Sequence, residues 1–385
     1  MPSLRVFTCV VLSMYLSLLF GCLAEEYVLE VLLVVDGPSQ ARWNAVAKAA
    51  GTTVKKEAES FMFEVNKCFR ELTSQGVDIE VRLVNNSVFF TSEAILGDDF
   101  LYRKKGKTYI NHTEVLTPLK EWTKGKQFDI AIFIPGHTFL DRDVAGVAII
   151  NHVCKRSGIS IIKPTYNTFM TQTIVHELGH NLGLRHDGEG NDCGGDAKLF
   201  MAPTISRVSY EHISWSSCSA DVLRKNLKKK KCIKSTDRTK AIKAARFGRI
   251  LSADELCKRL DRKHVSRFAY NHDYSNICEK LPCEKSLKIT TTKKKLWFIT
   301  YDEDTKFSGV WTNVRVPPGM QCGSGKSCEK GRCVKDRSVT KSWNTKCPFG
   351  DTPYLEGDIK TCQDVKKKKK CDLNGYRRAC CKSCK

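Results

Sequence analysis

The chain has 385 residues, 64 Lys and Arg against 42 Asp and Glu, a net charge of +22 and 19 cysteines. That length accommodates two or three domains and is far beyond a peptide too small to bury an enzyme-sized core. The charge points to anionic partners, but no zinc-finger, helix-turn-helix or aromatic-interleaved motif accompanies it, so nucleic acid is not an expected partner.

In chain order, Arg5, an apolar run from Val6 to Leu23 and small Ala24 before Glu25 have the layout of a secretory signal peptide, residues 1–24. No later stretch is long and apolar enough to span a bilayer, so the expected product is secreted, extracellular and without a transmembrane anchor. Cys9 and Cys22 leave with the signal, and 17 cysteines remain, concentrated beyond residue 250. Such density suits disulfide-stapled modules in an oxidising compartment. The odd count leaves one thiol over, and Cys68, in a helix-like stretch, is the candidate. Asn85 and Asn111 each begin an Asn-X-Ser/Thr glycosylation acceptor.

Tyr27 to Val35 is a β-branched apolar run that reads as a buried strand, with Asp36-Gly37-Pro38 as the turn after it. Val46 to Leu72 has mostly helical spacing apart from Gly51-Thr52-Thr53. Val77 to Phe90 alternates like a strand, Leu116 to Lys124 suggests a short helix, and Phe128 to Ile134 and Val144 to Val153 read as further strands. Thr168 to Leu184 is a helix candidate. Strands alternating with helices indicate an α/β layer structure. Beyond residue 250 the apolar runs are few, and disulfides are expected to hold those parts rather than a large core.

His176-Glu177-Leu178-Gly179-His180 is HExxH, which on a helix stacks both imidazoles on one face. Asn181 to His186 extends it to HExxHxxGxxH. Gly183 can turn the chain sharply, so that His186 returns as a third ligand. Three neutral imidazoles around Zn²⁺ leave a fourth position for water. Glu177 can take a proton from that water as general base and carry it to the leaving amine.

HELGHNLGLRHD resembles the metzincin metalloproteases, and Asp187 resembles the adamalysin or reprolysin branch, which includes the secreted disintegrin-type proteases. The resemblance implies a metzincin-type α/β catalytic domain at residues 25–233, with a mostly parallel sheet and the zinc helix in the cleft, followed by small disulfide-rich modules. It makes Met201 the methionine turn, and Gly146 to Ile150 the edge strand along which substrate lies. It places a wall of the substrate pocket at Ala202 to Ile205. It implies disulfides Cys193–Cys218 and Cys154–Cys232, and puts calcium-binding carboxylates at Glu30 and Asp129, although Cys232-Ile233-Lys234-Ser235 lacks the usual Asn or Asp. Cys322 to Cys333 resembles the end of a disintegrin-like or cysteine-rich region, placed at residues 234–335. The cysteines from Cys362 to Cys384 resemble a PLAC module at 336–385.

The implied activity is a zinc-dependent metalloendopeptidase acting on extracellular matrix or plasma proteins, with Zn²⁺ and a structural Ca²⁺ as ions. The lysine runs 228–231, 293–295 and 366–370 add heparin-like glycans as partners. The alternative is a non-catalytic, toxin-like binding protein that acts through its basic cysteine-rich tail. The family's propeptide has no counterpart between Ala24 and Tyr27, which leaves a chain made without that latency or a shortened form.

Overall fold

The computed structural model describes residues 26–49, 51–84, 89–90, 95–165, 168–204, 213–233, 244, 246–251, 253–260, 266–267, 276–279, 281–284, 288–296, 299–308, 311–314, 316–339, 342–352, 355 and 358–385. The signal-peptide reading, the Asn85 acceptor and Ile205 lie outside them.

Strand β1 (Glu26–Val35) runs through the middle of the main sheet. Parallel β2 (Asp78–Leu83) and parallel β6 (Ile130–Ile134) are its neighbours in the strand order, and β3 (Phe89–Phe90) pairs in parallel with its last two residues off that order. Beyond β6 come parallel β9 (Ile159–Ile162) and antiparallel β8 (Gly146–Ala148), which closes that edge. A smaller sheet holds β4 (Leu101–Lys104), β5 (Lys107–Ile110) and β7 (Thr138–Phe139).

Burial on both faces explains why β1 is apolar without alternation. Leu29, Val31, Leu33 and Val35 join one core with helices α2 (Val54–Arg70) and α4 (Thr168–Asn181). Leu32 and Val34 face a second core with Phe133, Ile161 and the helix α3 (Leu116–Trp122).

Asp36-Gly37-Pro38 is a helix start rather than a loop turn. The Asp36 carboxylate accepts the Ser39 N–H at 2.9 Å, capping α1 (Gly37–Ala49), and Pro38 needs no donor in the first turn. Across α1 and α2, the Trp43 indole N–H donates to the buried carboxylate of Glu57 at 2.7 Å.

The Val144 to Val153 run keeps only the three residues of β8 as strand. Beyond them Asn151 and Cys154 take left-handed backbone, φ 62° and 67°, and the Asn151 and Val153 N–H groups donate to the carbonyls of His180 and Asn181. The chain bends there to close on the end of α4. Sequence reading also passed over β9, whose Ile-Ser-Ile-Ile is too short for periodicity to identify.

The expectation that disulfides rather than a large core hold the later parts is corrected. Leu251, Leu256, Cys257, Ile277, Leu281, Val316 and Met320 are buried in the same core as β1, α2 and α4. Short helices α6 (Phe247–Ile250) and α7 (Ala253–Leu260) follow α5 (Ser217–Leu227), and α6 packs on α2. At that junction Arg246 pairs with Glu64 at 3.0 Å and with Glu329, while Lys67 pairs with Glu329 at 2.8 Å. A separate small core gathers Leu355, Ile359, Val365, Tyr376 and Ala379 with Cys362 and Cys380, on helices α8 (Cys362–Lys367) and α9 (Asn374–Ala379).

Cys68 is the free cysteine and is buried. The other cysteines beyond residue 25 form eight disulfides: Cys154–Cys232, Cys193–Cys218, Cys257–Cys283, Cys278–Cys328, Cys322–Cys333, Cys347–Cys381, Cys362–Cys380 and Cys371–Cys384. Among the described residues, no helix is long and apolar enough to cross a membrane.

Candidate active site

Helix α4 is held rigidly. Met170, Ile174, Val175 and Leu178 sink into the main core, which leaves His176 and His180 on the face beneath the sheet edge. The helix ends at Asn181, whose buried amide oxygen accepts from the Ser160 hydroxyl at 2.7 Å and whose Nδ2 donates to the Ile149 carbonyl at 3.0 Å. Gly183 then takes φ 103°, a conformation L side chains rarely adopt, and a Cβ there would also lie 2.5 Å from Asn226 Nδ2. This turn carries His186 back to the helix.

His176, His180 and His186 come together, with one nitrogen from each inside 4.8 Å of the others. His176 Nδ1 lies 2.7 Å from the Phe200 carbonyl and His180 Nδ1 lies 2.8 Å from the Leu184 carbonyl. Carbonyls only accept, so each Nδ1 carries the proton and each Nε2 presents a lone pair. The two Nε2 atoms are 3.1 Å apart, and two lone pairs at that distance are complementary to a shared cation. His186 turns its Nδ1 to Glu189 Oε2 at 3.2 Å. Burial, then the charge of His180, pushes His176 down to about 3, and burial lowers His180 as well. Neutral imidazole, the form that binds metal, is thus favoured at both. The donor set fits a tetrahedral Zn²⁺ with one open position.

Glu177 is buried beside these rings, and burial pushes its carboxyl up to about 8. Strand β8 passes directly over it: a Cβ on Gly146 would sit 2.7 Å from Glu177 Oε1 and 2.8 Å from Thr173 Cγ2. Gly146 therefore sets how closely the edge strand approaches the carboxyl. Met201 is fully buried below the site, and a Cβ on Gly179 would come within 2.5 Å of its Sδ. Motif spacing assigned neither glycine a role, because each is defined by a neighbour distant in sequence.

Asp187 anchors the third histidine. Its N–H donates to the Met201 carbonyl at 2.8 Å, and its Oδ1 accepts from the Ser216 hydroxyl at 2.6 Å. Ser216 in turn caps α5 by accepting the Ser219 N–H at 3.0 Å. Cys193–Cys218 and Cys154–Cys232 tie this helix and the segment after it to the loops around the site.

Glu30 and Asp129 are adjacent and buried, with the Glu30 N–H donating to Asp129 Oδ2 at 2.8 Å. Among the described residues they do not join any cluster of three or more metal-binding groups. Asn111 is half-buried in a turn, its Nδ2 donating to Glu114 Oε1 at 2.8 Å.

Residues 102–236 match the family described as Reprolysin (M12B) family zinc metalloprotease. Residues 102–236 thus form a reprolysin-type, metzincin domain. Human "A disintegrin and metalloproteinase with thrombospondin motifs 18" is 28% identical over 253 residues, 61% of this chain and 19% of that protein. The mouse motifs 16 protein is 27% identical over 245 residues, 59% and 18% of the two chains. The bovine motifs 2 protein is 25% identical over 337 residues, 85% and 26%. The chain thus spans about a fifth to a quarter of the length of these relatives. The longer bovine match shows that the likeness extends past the reprolysin domain.

Proposed function

We propose that the chain is a secreted zinc endopeptidase that cleaves extracellular proteins, with His176, His180 and His186 holding the metal and Glu177 as general base. The observation that carries this is the convergence of three imidazole nitrogens beside one buried carboxyl. Zinc bound there supplies a Lewis acid that polarises the scissile carbonyl and makes water a better nucleophile. With the positive charge of the ion beside it favouring its carboxylate form against burial, Glu177 accepts the proton of the attacking water and delivers it to the leaving amine. The exposed side of β8 offers main-chain groups to an extended substrate strand, with Ala202 on the pocket wall and Met201 packed under the histidines. The Nδ1 contacts to Phe200 and Leu184 keep two imidazoles in the ligating tautomer.

Residues 25–233 form the catalytic unit in this reading, 234–335 a cysteine-rich region and 336–385 a PLAC-like module. Secretion is supported by the amino-terminal signal pattern and the eight disulfides. Glu30 and Asp129 are kept as a calcium site, Asn85 and Asn111 as glycosylation acceptors, and heparin-like glycans as partners of the basic surface. Hydrolysis of gelatin or fibrinogen by the purified chain tests the core of this reading. Activity must vanish with 1,10-phenanthroline, return with Zn²⁺, and be absent from Glu177→Ala. Activity that survives chelation and this substitution overturns the mechanism, and a zinc-loaded chain with no activity favours the toxin-like binding alternative.

A further inference from the structure

The lysine run at 228–231 is one half of a surface whose other half lies far away in sequence. The Cys154–Cys232 disulfide, with its Cα atoms 5.8 Å apart, fixes this run against the loop bearing Lys155 and Arg156. That loop is rigid: Asn151 and Cys154 hold left-handed backbone, His152 Nδ1 meets Ser157 Oγ at 2.6 Å, and a Cβ on Gly158 would lie 2.6 Å from the His152 carbonyl. Burial, then the ammonium charges of Lys155, Lys230 and Lys120, lowers His152, so helix α3 contributes Lys120 to the same field. Burial and Lys155 lower Lys230 in turn.

Lys120, Lys155, Arg156, Lys228, Lys229 and Lys231 are exposed, and none forms an ion pair with a described residue. The buried carboxylate of Asp129, whose carbonyl accepts the Cys154 N–H at the base of this loop, accepts the Glu30 N–H. Cations held together against their own repulsion, with no internal counterion, match an external polyanion. Tyr102 is the one exposed large aromatic among the described residues, and it lies outside these segments.

We infer that the surface formed by Lys120, Lys155, Arg156 and Lys228 to Lys231 is a binding site for a sulfated polysaccharide. It adjoins the carboxyl end of helix α4, because the same loop donates to the carbonyls of His180 and Asn181. Sulfated glycan held there tethers the catalytic domain itself, independently of the lysine run at 366–370. The inference rests on the extracellular reading above and not on proteolysis.

The test is heparin affinity of the full chain across a salt series, in a Glu177→Ala background that excludes self-cleavage. Lys155→Ala/Arg156→Ala/Lys228→Ala/Lys229→Ala is expected to weaken binding about tenfold or more and to flatten its salt dependence. Lys155→Arg/Lys228→Arg/Lys229→Arg should keep both, since charge is conserved. Unchanged affinity in the alanine variant overturns the site, as does equal loss in the arginine variant. Equal binding of desulfated heparin, or tighter binding to phosphatidylserine vesicles, overturns the ligand class. Gelatin hydrolysis by the Glu177-bearing chain is read separately, so failure here leaves the protease reading standing.

Discussion

The catalytic region and the last forty or so residues solve the same problem by different means. Around β1 a sheet is buried on both faces, and the site residues inherit their positions from those two cores. The carboxyl-terminal segment has a handful of apolar side chains and three disulfides closing loops of 34, 18 and 13 residues. Each such bridge contributes about 3 kcal/mol by loop closure, which matters most where burial is scarce. The residues between belong with the first region: their disulfides decorate an extension of the main core. Precision of a site therefore follows the buried sheet, and covalent links serve where no sheet is available.

The largest effect expected from breaking this arrangement is at Glu177. Glu177→Ala should lower kcat/KM by about 10²–10⁴-fold, the scale of a lost general base, while the melting transition and zinc content persist. A variant that retains activity would show that another group carries the proton.

Next comes the junction. Arg246→Ala strands Glu64, a fully buried carboxylate, and should cost about 3–5 kcal/mol in denaturant unfolding. Glu64→Gln combined with Arg246→Met should recover much of it. If Arg246→Ala is nearly neutral, the cysteine-rich residues are merely attached to the catalytic core rather than part of it.

The disulfides sharpen the contrast further. Cys362→Ala/Cys380→Ala removes a bridge at the centre of the small core and should cost that module about 2–5 kcal/mol, seen as rapid proteolysis confined to residues beyond 342. Cys193→Ala/Cys218→Ala removes a partly exposed bridge beside a sheet that has its own core, and the sheet should remain protease-resistant. Equal damage from both would erase the distinction.

The same contrast explains what could be read from the sequence. The buried strand at 27–35, the helix read at 168–184 (which ends at Asn181) and the three histidines are legible because burial and metal geometry impose periodicities a chain displays openly. Asp36 was misread because Asp-Gly-Pro writes a turn and a helix start alike, and only the Ser39 N–H distinguishes them. The common core beyond residue 250 was hidden because its members, such as Leu256, Ile277 and Met320, are scattered singly between cysteines. Gly146 and Gly179 were invisible for a further reason: a glycine that makes room for Glu177 or Met201 has no local signature.

Gly146 gives a finer test of how the sheet sets the site. In Gly146→Ala the new methyl must displace Glu177 or push β8 outward, since its position lies 2.7 Å from Oε1 and 2.8 Å from Cγ. A displacement of the order of 1 Å in a catalytic group costs up to about 10²-fold, so kcat should fall while unfolding changes by only about 1–3 kcal/mol. Loss of zinc from this variant would instead show that the strand supports the histidines.

The smallest effect lies outside the catalytic core, at Asp336. Hydrogen bonds from Ser327 and Ser338, with the Arg249 guanidinium, hold its carboxyl well below the usual carboxylate range. A depressed pKa in the folded state means stability that is fully present above the unfolded value, near about 3.9, and is lost as pH falls toward the folded one. Asp336→Asn should therefore lower stability slightly at neutral pH and leave less to lose on acidification, because it deletes a group whose charged form the fold prefers. The wild type and variant stability curves should converge below pH ~4. Curves that stay parallel down to that pH would mean the contacts are steric rather than ionic, and that the cysteine-rich residues, like β1, are held chiefly by what they bury.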